Sequence, residues 1–173
     1  MAFEDKLEEF TRRQRRALAM GGEAKIAQQR ARGRLPARER IDRLLDPGSF
    51  LEVGRFNHSD VPGMEDKTPA DSKVCGYGAI AGRPVVVMAN DFTVLAATSS
   101  RVAGRKEGEL KQAAVRLGVP VIYLGEAGGA RMPDIMGAKG LSSFGGGGPD
   151  TYLKIMSRVR QTPMVTAILG ECY

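Results

Sequence analysis

Between Val74 and Gly170 apolar runs alternate with helix-patterned runs, and this alternation restricts the chain to a narrow set of folds. "VCGYGAIAGRPVVVMAND" reads as two strands joined across Ala81 and Gly82, with β-branched Val85 to Val87 forming a near-continuous buried run. Asp91 follows that strand directly. "SSRVAGRKEGELKQAAVRLG" supplies Ser99 or Ser100 as a helix start, a stripe of Val102, Leu110, Ala114 and Leu117, and Gly118 as the stop. "VPVIYLG" is the next strand, "PDTYLKIMSRVRQ" a helix opened by Pro149, and "PMVTAILG" a final strand. This order specifies a parallel α/β layer with right-handed crossovers, in which ligands gather beyond the carboxyl ends of the strands. "GEAGGAR" and the final "GECY" occupy such positions.

The first quarter has another character. "FEDKLEEFTRRQRRALAM" sets Phe3, Leu7 and Phe10 on one helical stripe, acidic early and basic late, until Gly21 and Gly22 interrupt it. A second helical piece runs from Glu23 to Arg32. In "RLPARERIDRLLDPGSF" Pro36 opens a third, Ile41, Leu44 and Leu45 form its apolar face, and "DPG" ends it. Residues 1–46 therefore read as a helical arm and residues 47–173 as a partial or single domain. "SFLEVG" is a short strand, and "RFNHSDVPGMEDKTPADSK" is a long loop that carries His58.

Charge and composition narrow the function classes. The chain has 26 basic and 20 acidic residues, a net charge of +6, and most of the excess falls before Asp46. Such an arm suits an anionic ligand, a neighbouring subunit or plain solvation. Sparse aromatics and the lack of any zinc-finger or RNA-binding signature argue against nucleic acid. Cys75 and Cys172 form neither a disulfide framework nor, with the lone His58, a metal site. No signal segment or membrane-spanning stretch is legible, and Glu4, Asp5, Glu8 and Glu9 oppose a transit peptide, so the cytoplasm is the expected compartment.

The glycine-rich stretch after "VPVIYLG" leaves phosphate binding, oxyanion binding and a bare turn open. Its spacing is not G-x-G-x-x-G, and "GAKGLSSFGGGG" lacks the G-K-[ST] of a phosphate loop. No G-x-S-x-G and no paired Cys and His are present, so any chemistry here falls to backbone donors.

Four stretches, "ARERIDRLLDPGSFLEVG", "VCGYGAIAGRPVVVMANDFTV", "GVPVIYLGEAGGAR" and "MVTAILGECY", together resemble the carboxyltransferase (β-type) subunits of biotin-dependent acyl-CoA carboxylases. The resemblance implies a crotonase-like (ClpP/crotonase) β–α spiral with the helical arm at its N-terminus. It implies carboxyl transfer from carboxybiotin, on a separate carrier, to the α-carbon of an acyl-CoA, with no metal required in this chain. Gly128, Gly129 and Ala130 would form a loop whose N–H groups hold the thioester enolate oxygen, with Arg131 and Gly170 as substrate-binding neighbours.

The family's chains run to about 500 residues in two related halves, and this sequence matches most of the first. The implied partners are a second carboxyltransferase half or full-length subunit, and biotin carboxylase and biotin carrier subunits, in a homo- or hetero-oligomer. Glu126 and Ala127 stand where the family often has Asp and Ser, and "MPDIMG" and "ATSSRVAGRK" also depart from its pattern, leaving the acyl group open. The alternative is a noncatalytic CoA-facing assembly module or truncated paralogue.

Overall fold

The computed structural model describes residues 3–136 and 162–173. The helix expected from Pro149 and the glycine run before it lie outside them. Three helices open the chain, α1 (Phe3–Leu18), α2 (Glu23–Ala31) and α3 (Ala37–Leu44). Five strands follow, β1 (Leu51–Val53), β2 (Lys73–Ile80), β3 (Arg83–Asn90), β4 (Val121–Ala127) and β5 (Met164–Cys172). Between them lie α4 (Arg101–Leu117) and the single turn α5 (Met132–Ile135).

One sheet takes the strands in the order β1-β2-β3-β4-β5. Its β3, β4 and β5 are parallel, as the alternation demands, whereas β2 runs antiparallel to both of its neighbours, β1 and β3, and makes the sheet mixed. The cause of the reversal is local. Ala81 and Gly82 both take positive φ, 49° and 75°, as a primed hairpin turn requires. The Asp46 carboxylate accepts both of their amides, at 2.9 and 2.8 Å, so the "DPG" that ends α3 also seats the hairpin.

Period-two alternation along the strands gives the sheet two buried faces. Val74, Val85, Val87, Ala89 and Leu124 pack under Ala37, Ile41 and Leu45, which makes the arm's last helix part of the core. Cys75, Val86, Met88 and Val121 pack under Leu110 and Ala114 of α4. Ser100 caps α4 by accepting the Ala103 amide at 3.1 Å, and Gly118 closes it at φ 66°.

Three expectations need correction. Leu117, placed on the apolar stripe of α4, is 63% exposed although Ala114 on the same stripe is buried against the sheet. Phe3, Leu7 and Phe10 form a stripe but remain exposed, with Phe10 meeting Phe56 edge to face at 5.5 Å. The final "GECY" was expected to open a loop, yet β5 runs through it to Cys172. The strand is able to continue because β4 and β5 pair around a bulge: two steps of β4, from Gly125 to Ala127, face four of β5, from Ile168 to Cys172.

Candidate active site beyond the central strands

The chain leaves β4 at Ala127 and enters the loop Gly128 to Arg131. The loop's bonds to its surroundings can be traced group by group. The Gly128 amide donates to the Ala96 carbonyl at 2.8 Å, the Gly129 carbonyl accepts from Ser99 at 2.8 Å, and the Arg131 amide donates to Ser99 O at 2.8 Å. That leaves the amides of Gly129 and Ala130, adjacent in the chain, without a partner among the described residues. Gly129 has φ 95°, a conformation L side chains rarely adopt, so glycine is required at this step.

The loop is held between two buried charges of opposite sign. On its upstream side Glu126, 1% exposed, pairs with Arg40 and with Arg34 at 3.1 Å, and accepts from the Gln29 side-chain amide at 3.4 Å. Arg34 also reaches Glu171 at 3.3 Å. On its downstream side Arg131, 3% exposed, pairs with Asp71 and donates to Ser72 Oγ at 3.0 Å, to the Thr98 carbonyl at 3.2 Å and to Thr98 Oγ1 at 3.4 Å. Asp134 approaches the same guanidinium at 3.7 Å and takes a hydrogen bond from Ser59 Oγ at 2.8 Å. Burial pushes the Asp134 carboxyl above the ordinary carboxylate range, against the Ser59 hydrogen bond and the Arg131 charge.

Two left-handed turns support this loop, and neither contains glycine. Ala70, Asp71 and Ser72 have φ of 51°, 47° and 58°, and Leu95, Ala96 and Ala97 have 47°, 52° and 51°. Left-handed backbone costs an L-residue roughly 1–2 kcal/mol, so the surrounding contacts must impose it. For the first turn they come from α4. Lys106, buried, donates to the Ala70 carbonyl at 2.8 Å and to the Lys73 carbonyl at 2.5 Å, bracketing the turn, while Asp71 accepts from Ser100 Oγ and from the Ala103 amide at 2.9 Å. Burial lowers the Lys106 pKa, and nearby Cys75, Glu52 and Asp71 offset that in part. The second turn presents the Ala96 carbonyl that holds Gly128.

The expected site residues therefore separate. Among the described residues Gly129 and Ala130 have no amide partner, Gly128 spends its own on the neighbouring turn, and the Arg131 guanidinium faces the interior. Gly170 lies within β5, against the Glu126 carboxylate, where a β-carbon would overlap the carboxyl group. Asp71, Ser72 and Thr98 were not singled out from the sequence, since nothing in "PADSK" or "AATSS" announces a left-handed turn. Glu126 was legible only as a departure from a family pattern. His58 is exposed, with Nδ1 2.8 Å from the carbonyl of Ser59, the residue whose hydroxyl donates to Asp134. Among the described residues no group of three or more His, Cys, Asp or Glu could hold a metal ion, and no helix is long and apolar enough to cross a membrane.

Several of the arm's arginines are paired with carboxylates, some buried and some exposed. Arg38 pairs with Glu52 at 2.8 Å and Arg55 joins the same carboxylate at 2.5 Å, while Arg30 pairs with Glu39 and Arg16 with Asp66.

Residues 28–173 fit the family model described as the carboxyl transferase domain, and the chain belongs to that family. It is 37% identical to the propionyl-CoA carboxylase carboxyltransferase subunit of Haloferax mediterranei, covering 99% of this chain and 33% of that one. It is 38% identical to the human mitochondrial propionyl-CoA carboxylase beta chain, covering 95% and 30%. Among solved structures, transcarboxylase 12S with hydrolysed methylmalonyl-CoA bound matches with a TM-score of 0.82 at 32% identity, over 98% of this chain and 32% of that one. A single-chain, multi-domain long-chain acyl-CoA carboxylase matches with a TM-score of 0.80 at 30% identity, over 94% and 17%. The fold is thus the crotonase-like carboxyltransferase fold, and the chain spans about a third of the length of the curated relatives it matches.

Proposed function

We propose that this chain provides the acyl-CoA-facing part of a biotin-dependent carboxyltransferase, acting on a short acyl-CoA such as propionyl-CoA within a larger assembly. The observation that carries the reading is the pair of adjacent amides at Gly129 and Ala130, without a partner among the described residues and beyond the carboxyl end of β4. Loss of a proton α to a thioester puts negative charge on the carbonyl oxygen, and fixed N–H donors stabilise that charge with no titrating side chain. These two donors suit an enolate oxygen. Gly128 sets the loop's departure from β4 through Ala96, and the buried frame keeps the loop in place.

Carboxybiotin, on a separate carrier, would supply the carboxyl group. The partners in this reading are a second carboxyltransferase half or full-length subunit together with biotin carboxylase and biotin carrier subunits, in the cytoplasm. The relatives' names and the methylmalonyl-CoA-bound neighbour support the substrate class.

Carboxyl transfer to propionyl-CoA and other acyl-CoAs tests the proposal, with this chain alone and with the subunits that co-purify with it. Activity is expected only in the assembly. Gly129→Val there should lower turnover by about 100-fold, the scale of losing one oxyanion donor. Assembly without turnover in every combination would favour the noncatalytic module instead.

A further inference from the structure

Arg131 ends the loop that carries the Gly129 and Ala130 amides, and its guanidinium reaches back to a turn 59 and 60 residues earlier in the chain. It has no route to solvent there: Arg131 is 3% exposed and Asp71 is 0% exposed. The fork is divided among several acceptors, with Nη1 on Asp71, Nη2 on Ser72 Oγ and Thr98 O, and Nε on Thr98 Oγ1. The Arg131 backbone is fixed as well, by the bond from its amide to Ser99 O. Ala130, whose amide has no partner among the described residues, is thus directly joined to a residue fixed at both main chain and side chain.

Asp71 is fixed in turn. Its second oxygen accepts from Ser100 Oγ and from the Ala103 amide at the first turn of α4, and Lys106, one turn further along α4, brackets the left-handed backbone from the other side. The rigid body of α4 therefore sets the position of Asp71, Asp71 sets Arg131, and Arg131 sets the loop. A planar five-donor guanidinium suits this task, because an ammonium cannot meet acceptors of two separate segments in one plane.

We propose that Asp71 and Arg131 are positioning residues for the Gly129 and Ala130 amides, transmitting the placement of α4 to the oxyanion donors; this rests on the oxyanion-loop reading above. Neither touches the reacting atoms. Their effect is felt where the donors must meet a developing charge, since a displacement near 1 Å at such a site costs about 100-fold in rate.

The test uses the assembled carboxyltransferase containing this chain and two probes, plain CoA and a nitroalkyl-CoA whose nitronate carries the enolate's negative oxygen. Asp71→Asn and Arg131→Lys should each lower the preference for the nitroalkyl-CoA over CoA by roughly 10- to 100-fold, and kcat by a similar factor, while KM for the acyl-CoA stays within about threefold. A merely structural role would move the denaturation midpoint and leave this preference unchanged. If Asp71→Asn does not assemble, Arg131→Lys, which keeps the charge, decides the matter. Gly129→Val separates the two layers of inference. Should it reduce the preference while Asp71→Asn and Arg131→Lys do not, the positioning proposal falls alone. Should Gly129→Val leave the preference intact, the oxyanion-loop reading falls and takes the positioning proposal with it.

Discussion

Glu126 and Asp71 are both buried carboxylates that pair with arginine, and they lie on opposite sides of the same four-residue loop, yet their surroundings differ in what would remain if the charge were lost. Arg40 makes its one side-chain hydrogen bond to Glu126, and its other terminal nitrogen is buried without a partner. Arg131 would still have Ser72 Oγ, the Thr98 carbonyl and Thr98 Oγ1. The first pair fastens the arm to the sheet with little redundancy, whereas the second belongs to a network that tolerates a change of charge better than a change of position. A buried ion pair is costly to break chiefly through the partner left behind, so the two should fail differently.

The largest effect is expected at Glu126. Glu126→Gln strands the Arg40 guanidinium and should lower unfolding free energy by about 3–5 kcal/mol in a denaturant titration of the assembled protein. Equal losses for Glu126→Gln and Asp71→Asn would erase the contrast. Gly170→Ala probes the same anchor from β5, where the added methyl group presses on the Glu126 carboxylate, and should cost about 1–3 kcal/mol. Because the two sites touch, Gly170→Ala combined with Glu126→Gln should depart from additivity, and a strictly additive pair would show that the carboxylate does not fill the space assigned to it.

The smallest expected effect concerns the arm's other anchor. Burial tends to raise the pKa of Glu52, but the hydrogen bonds and charges of Arg38 and Arg55 outweigh it and hold the carboxyl below its ordinary value of 4.5. A group whose folded pKa is depressed contributes stability that is fully present above its unfolded pKa and is lost as pH falls through the folded value. Stability measured from pH 7 downward should therefore decline more steeply in the wild-type protein than in Glu52→Gln below about pH 4.5. Parallel acid limbs would remove Glu52 from the set of arm anchors.

The sequence announced those parts of the molecule that depend on period and punctuation. Val85 to Val87, the turn at Ala81 and Gly82, the Ser100 cap, the Gly118 stop and the loop after "VPVIYLG" all follow from local rules acting over a few residues. The ionic frame does not. Arg40 and Glu126 are separated by 86 positions, and twelve basic residues before Asp46 read as a solvated or ligand-seeking surface until the carboxylates they meet are known. The left-handed turns were equally hidden. Their residues, Ala70 to Ser72 and Leu95 to Ala97, have no intrinsic reason for positive φ, and the contacts that impose it on the first turn come from α4 and from Arg131 in the loop after β4, both encoded later. Leu117 and the stripe of Phe3, Leu7 and Phe10 show the complementary limit, since periodicity reports which residues share a face but not whether anything covers it.

The turn at Ala70 to Ser72 also bears on the order of events as the chain folds. A hairpin from β2 and β3 needs only neighbours, and α4 needs only its own caps, but this turn closes against Arg131, 60 residues downstream of Asp71. α4 supplies the first of the contacts that hold Asp71 at positive φ, and Arg131 supplies the last. Vectorial synthesis therefore delivers the sheet's hairpin before the cradle for the loop, and the candidate site takes its shape only after the hairpin.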